Sequence, residues 1–302
     1  MLKLDNISVS YKDKVVLDNL SLTAESGEII GVVAPNGTGK TTLFHVISNF
    51  LKPNKGTVIF HDKLQYKTER NEIAIHKQLT TFPEQSDLFE ELSGVDHMKL
   101  YANMWKGNTD HVQKIYEQLH MEGYVKKKVK TYSLGMRQRL CFAMVASADT
   151  PVMLMDELMN GLDVANVALI SEYLIQMKKE GKLIFVASHL LSNLDLYADR
   201  VLYLKDGKII HQQDFSRTDE KFIKIDLSAE QYEALKDSLP GDHLYIAKHL
   251  CCIPIANLDE TEKNAWITRL SAFEEKELTI GPLGTAEYYE EYYHEDGKPL
   301  ML

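Results

Sequence analysis

The chain has 302 residues, 44% apolar and 26% charged, with three cysteines and a formal net charge of −10. That composition supports a sizeable core, one large domain with a small one beside it, and excludes intrinsic disorder. No apolar run approaches the roughly 18 residues of a spanning helix. The start Met1-Leu2-Lys3-Leu4-Asp5 also lacks a signal-peptide core, so a soluble, non-exported protein is expected. Cys141, Cys251 and Cys252 have neither disulfide-framework nor zinc spacing, which suits buried structural thiols in a reducing cytosol. From Ser216 onward 18 acidic residues face 9 basic ones, and that acidic field argues against a nucleic-acid partner.

Leu2 to Tyr11 and Val15 to Thr23 alternate apolar and polar positions, which predicts antiparallel strands. Tyr11 falls at the turn between them, where an exposed aromatic is placed to stack on an adenine ring; an ordinary strand-end tyrosine is the alternative. Glu28 to Val33 is a β-branched run that stops at Ala34-Pro35-Asn36-Gly37-Thr38-Gly39-Lys40-Thr41-Thr42, after which Leu43, Phe44, Val46 and Ile47 recur at helical spacing. This is strand, phosphate loop, helix. Gly37 and Gly39 let successive N–H groups turn inward as an anion nest, and the helix adds its positive end. Lys40 then reaches the β- and γ-phosphates and Thr41 ligates Mg²⁺. In G-x-x-x-x-G-K-[ST] the first position is glycine and here it is Ala34, which is tolerable if its φ is negative.

Thr57 to Phe60 and Leu79 to Phe82 read as strands, Pro83 to Leu92 as a loop, and Val95 to Gln118 as a helical insertion whose Met and aromatic stripe is packing core. Ser133, Leu134, Gly135 and Met136 open a helix, a second anion site of the same physical type as the first. Pro151 to Glu157 is an apolar strand ending in two carboxylates. Asp156 is positioned to hold the Mg²⁺ shell and Glu157 to polarise an attacking water as general base. Asn160 to Asp163 turns into a helix that Asp163 can cap. Leu183 to Ala187 is another buried strand, ending at Ser188-His189, where His189 faces the same crevice and is placed to contact the γ-phosphate and orient the water. Arg200 to Ile210 reads as a terminal hairpin.

With these motifs in order over roughly residues 1 to 215, the chain resembles the nucleotide-binding subunit of ATP-binding cassette (ABC) transporters. The resemblance implies an α/β fold: a P-loop ATPase domain with a mixed central sheet, an antiparallel β subdomain and a helical subdomain about 93–147. It implies ATP and Mg²⁺ as ligands. Tyr11 matches the A-loop aromatic, and Ala34 to Thr41, including Asn36, Gly37, Gly39 and Lys40, the Walker A motif, with Thr42 following. Ser133 and Gly135 match the signature segment, Val152 to Asp156 Walker B, Glu157 the catalytic glutamate, Asp163 the D-loop and His189 the switch histidine.

Three further departures stand out. Tyr132-Ser133-Leu134-Gly135-Met136 replaces Leu-Ser-Gly-Gly-Gln. Glu84 stands where the Q-loop glutamine is expected, with Gln85 one residue late, and its carboxylate can still ligate Mg²⁺. Leu158-Met159 replaces Pro-Thr.

The resemblance implies that two such subunits, identical or different, pair head to tail around ATP and drive a separate transmembrane permease. The permease would dock near Glu84 to Trp105, with the ATPase peripheral on the inner, cytoplasmic face of the cell membrane. The short Ser-Leu-Gly-Met-Arg-Gln-Arg form is similar to subunits that export drugs or antimicrobial peptides. A soluble ABC ATPase acting on ribosomes, DNA or iron–sulfur assembly is the rival reading, although neither tandem cassettes nor a long coiled coil is present. Residues 216–302 lie outside that resemblance and read as a small acidic α+β appendix, with strands expected at Lys221 to Asp226 and His243 to Ala247 and helices at Ser228 to Leu239 and Glu260 to Leu270. Tyr288 to Tyr293 ends it as an amphipathic segment, either a partner contact or a packing tail.

Overall fold

In chain order the first unit of the computed structural model runs β1 (Leu2–Tyr11), β2 (Lys14–Ala24), β3 (Glu28–Val33), α1 (Lys40–Ile47), β4 (Lys55–Phe60), β5 (Leu64–Gln65), α2 (Glu69–His76), β6 (Leu79–Thr81), α3 (Gly94–Trp105), α4 (Val112–Gln118), α5 (Leu134–Ala148), β7 (Val152–Asp156), α6 (Val164–Lys179), β8 (Leu183–Ala187), α7 (Leu191–Leu194), β9 (Arg200–Lys205) and β10 (Lys208–Asp214). The structure describes residues 1–12, 14–105, 107–215, 220–273 and 277–294. Its compact units are Met1–Gln213 and Asp214–Leu302. The expected start of the appendix at Ser216 lies outside the described residues.

Alternation builds the first sheet. Leu2, Leu4, Ile7 and Val9 of β1 are buried and pair antiparallel with β2, Leu4 opposite Leu22 and Ile7 opposite Leu20. β4 pairs on the other edge of β1 and β5 follows it, giving the order β2-β1-β4-β5. The second sheet has the order β10-β9-β3-β8-β7-β6. Its central strands are apolar on both faces, which is why they read as continuous runs. The β9–β10 turn carries Asp206 and Gly207 at φ 50° and 77°, the two positive values a tight hairpin turn needs. One hydrophobic cluster joins the two sheets through α1, bringing Leu2, Leu4 and Ile7 together with Val32, Leu43, Ile47 and Phe185.

The parallel register sets the level of the site. Val32 pairs with Ala187, Ala187 with Asp156, and Leu154 with Thr81. The carboxyl ends of β3, β8, β7 and β6 therefore emerge side by side, where crevices form in sheets of this kind.

The predicted insertion is two helices, α3 and α4, packed with α5. α5 is buried over most of its length. α2 was not foreseen: Thr68 caps it by accepting from the Asn71 N–H, but it buries only Ile75 and so shows little periodicity.

The second unit comprises β11 (Phe222–Asp226), α8 (Ala229–Leu235), β12 (Leu244–Ile246), β13 (Leu250–Pro254), α9 (Glu260–Leu270), β14 (Leu278–Gly281) and α10 (Thr285–Tyr293), with sheet order β12-β13-β11-β14. β13 and β14 were not foreseen. Cys251 and Cys252 are adjacent on β13 and fall into different apolar clusters, as strand alternation requires. All three cysteines are free and buried, and burial pushes the Cys141 and Cys252 thiols up to about 12. In α10, Thr285, Tyr289 and Tyr293 are buried, so one face of the tyrosine run is a packing face.

Candidate nucleotide site

The loop after β3 turns twice through positive φ, at Gly37 (74°) and Gly39 (114°). A Cβ on Gly39 would come within 3.1 Å of Val16, so both conformation and space demand glycine there. Ala34 is 1% exposed and is not among the positive-φ residues, so its β-carbon costs the loop nothing. α1 begins directly at Lys40 with Gly39 as its N-cap, leaving its first N–H groups and its positive end facing the loop. Lys40 is 7% exposed and its Nζ donates to the Ala34 carbonyl at 2.6 Å. Burial lowers its pKa below the ordinary lysine value, with Glu157 and then Asp156 pulling it back up.

A cleft of about 370 Å³ opens here, lined by Tyr11, Lys14, Val16, Asn36, Gly37, Gly39, Lys40, Thr41, Thr42, Asp156, Glu157 and His189. The structure thus brings together nearly all of the residues read from the first phosphate loop and the strand ends, with Tyr11, 48% exposed, at its rim. Lys14 and Val16 were missed, though the pairing of Tyr11 with Lys14 across the β1–β2 turn follows from the strand register. Thr41 Oγ1 donates to Asp156 Oδ2 at 2.9 Å. Two hard oxygens at that spacing fit Mg²⁺, which takes one or two carboxylates and fills its shell with water and phosphate oxygens. Among the described residues no group of three or more His, Cys, Asp or Glu gathers to cage a metal.

Glu157 follows Asp156 at φ 53°, in the left-handed region. Its N–H donates to the Ala187 carbonyl at 3.0 Å, and its Oε1 lies 2.9 Å from His189 Nε2. Its Oε2 is buried without a partner. Burial raises the Glu157 pKa above the ordinary carboxyl value, opposed by His189 and Asn160 and reinforced by Asp156. A carboxyl made more basic by burial beside a phosphate loop is suited to proton abstraction.

Glu84 lines an adjoining groove of about 510 Å³, not the phosphate cleft. Thr41, Asp156 and Glu157 line that groove too, together with Phe44, Phe50 and Tyr101. The Glu84 side chain accepts from Ser86 Oγ at 3.1 Å. The short 3-10 turn Gln85–Asp87 directs Gln85 inward instead, where its Nε2 donates to Gln138 Oε1 at 2.5 Å.

Ser133 caps α5 by accepting from the Met136 N–H at 3.3 Å, and Asp163 caps α6 by accepting from the Asn166 N–H at 2.8 Å. Ser133, Gly135 and Asp163 are not among the residues lining the phosphate cleft. The helix start read as a second anion site lies apart from the phosphate loop, with the Ser133 hydroxyl capping its own helix.

Residues 17–160 match the family described as ABC transporter. Over 82% of this chain and 84% of its own length, the uncharacterized ABC transporter ATP-binding protein YhcH of Bacillus subtilis is 33% identical. The lantibiotic transport ATP-binding protein SrtF of Streptococcus pyogenes is 27% identical over 71% of this chain and 91% of its own. Among solved structures, cbiO1 of Clostridium perfringens, part of the ABC transporter complex cbiONQ, superposes with a TM-score of 0.62 at 25% identity, covering 70% of this chain and 88% of that one.

Proposed function

The chain belongs to the family of ABC transporter ATP-binding proteins, whose activity is ATP hydrolysis, and from that premise we propose that it pairs head to tail with a second ATP-binding subunit and drives a separate membrane permease as an exporter. The observation that carries the pairing is the separation of the two anion sites. Lys40 and Thr41 line the cleft, while Ser133 and Gly135 do not. A phosphate held by the first pair then meets its second wall on another subunit.

In this reading the Gly37–Gly39 nest and Lys40 bind the β- and γ-phosphates, and Tyr11 stacks on the adenine. Thr41 and Asp156 hold Mg²⁺, with Glu84 the further carboxylate offered from the groove. When bound, the ion neutralises charge on the β- and γ-oxygens. Glu157 takes the proton of the attacking water, and His189, 2.9 Å from its Oε1, holds that carboxylate and faces the γ-phosphate. Among the described residues no helix is long and apolar enough to cross a membrane, so a transport role at the inner face of the cell membrane requires a permease partner. The role named for the lantibiotic transport relative supports a peptide cargo, and the short signature form supports export.

The test is Glu157→Gln. With ATP it should accumulate as a dimer by light scattering while hydrolysis falls by about 10³ or more. A variant that remains monomeric with ATP and hydrolyses like wild type would remove both the pairing and the base. Affinity purification from detergent-solubilised membranes should recover a multi-spanning protein, and recovery of ribosomes instead would overturn the transport role.

A further inference from the structure

The general base sits on a turn whose backbone is held by a side chain far from it in sequence. Gln138, in α5, is 4% exposed. Its Nε2 donates to the carbonyls of both Glu157 and Leu158, at 2.9 and 2.8 Å. Carbonyls only accept, so the amide nitrogen must face them and Oε1 must face the other way. There it accepts from Gln85 Nε2 at 2.5 Å. Both amide protons and the oxygen are therefore committed, in a side chain that is almost wholly buried.

The turn needs such support. A non-glycine residue at φ 53° keeps that conformation only when its surroundings over-determine it. The Glu157 N–H is tied to Ala187 and its carbonyl also receives the Asn160 N–H at 3.2 Å, but among the described residues Gln138 alone bridges the carbonyls of Glu157 and Leu158. Gln85 belongs to the loop after β6, and Gln85, Gln138, Glu157 and Asn160 all line the same groove. An occupant that moved Gln85 would leave a buried amide oxygen without its donor, so Gln138 is held from both ends.

We propose that Gln138 is a positioning residue for ATP hydrolysis, transmitting the setting of the Gln85 loop in the groove to the backbone turn that aims Glu157. The assignment deepens the reading of Glu157 as the base and rests on it. A carboxylate displaced by about 1 Å forfeits much of its rate advantage, whereas the hydrogen bonds described for Gln138 go to Gln85, Glu157 and Leu158 and not to the phosphate loop.

The experiment uses the full-length chain with Gln138→Met, Gln85→Ala and the double variant, alongside Glu157→Gln, measuring kcat and KM for Mg-ATP. Gln138→Met should lower kcat about tenfold or more with KM within about twofold. Gln85→Ala should lower it less, and the double variant should be no worse than Gln138→Met alone, because the two act through one contact. Effects that multiply independently, a kcat unchanged in Gln138→Met, or a rise in KM that matches the loss of rate would each overturn the relay. If Gln138→Met does not fold, Gln85→Ala decides alone: a fall in kcat at constant KM supports the relay and an unchanged kcat removes it. Full activity in Glu157→Gln would remove the base and the relay together. An inactive Glu157→Gln beside a normal Gln138→Met would remove the relay only.

Discussion

Replacing Lys40 with Met keeps the length of the side chain and deletes its charge. In the resting loop the ammonium donates to the Ala34 carbonyl, and more weakly to that of Pro35, and is 7% exposed, so its removal loses these bonds and relieves the burial of one charge. These oppose each other, and the melting temperature without nucleotide should move little. With ATP they no longer cancel. Leaving a phosphate charge without its buried partner costs about 2–5 kcal/mol, which raises Kd at least about thirtyfold. At an ATP concentration of about 100 times the wild-type Kd, the ligand stabilises wild type by about 2.7 kcal/mol, or about 5–11 °C for a unit of this size. The variant then sees about three times its own Kd, a gain of about 0.9 kcal/mol or less, which is under about 4 °C. Differential scanning fluorimetry with and without Mg-ATP reads both numbers. An ATP-induced shift in Lys40→Met equal to that of wild type would refute the placement of the phosphates.

Because burial raises the Glu157 pKa, the carboxyl supports the fold fully only below its unfolded value of about 4.3, and that support is lost as pH rises through the folded value. Glu157→Gln should therefore gain stability over wild type with rising pH, and urea unfolding at a series of pH values should show the gap closing on the acid side. The Glu28–Arg200 pair, 17% and 12% exposed, ties the start of β3 to β9; Glu28→Ala leaves the guanidinium only neutral partners, the Thr23 carbonyl and Gln212, and should cost about 3 kcal/mol, the low end for a broken buried pair, seen as a lower urea midpoint. Ala34→Gly should cost only about 0.4–1 kcal/mol through the unfolded chain and leave ATP affinity unchanged by titration.

The cleft was legible because its parts are local. A glycine loop between a buried strand and a helix, and carboxylates at a strand end, take their positions from backbone geometry, and a parallel sheet brings such ends to one edge. Where partners are distant the sequence is silent. Gln138 looks like one polar residue in a helix, and nothing nearby reveals bonds to Gln85 and to the turn at Glu157 and Leu158. Glu84 stands where the Q-loop glutamine is expected, yet the 3-10 turn beginning at Gln85 leaves the Glu84 carboxylate with Ser86 and sends Gln85 inward. β13 and β14 are short segments that become strands by pairing with β11, and β13 with β12 as well.

The same residues that make the cleft chemical make it costly to the empty fold. Lys40 is held charged in a place that disfavours its charge, and Glu157 stays at positive φ with one carboxylate oxygen unpartnered. Part of each cost is met within the subunit: Glu157 and Asp156 pull the Lys40 pKa back up, and bonds from Gln138 and Asn160 hold the turn. In the proposed reading a triphosphate would bring a further anion to Lys40, and its attacking water a partner for Glu157 Oε2, so that ligand binding is coupled to relief at both points. The separation of Ser133 and Gly135 from the cleft extends this logic from one subunit to two. If each nucleotide compensates a cost in one chain and fills an anion site on its partner, pairing should stabilise ATP-bound subunits more than ADP-bound ones. The γ-phosphate would then be worth more in the dimer than in the monomer.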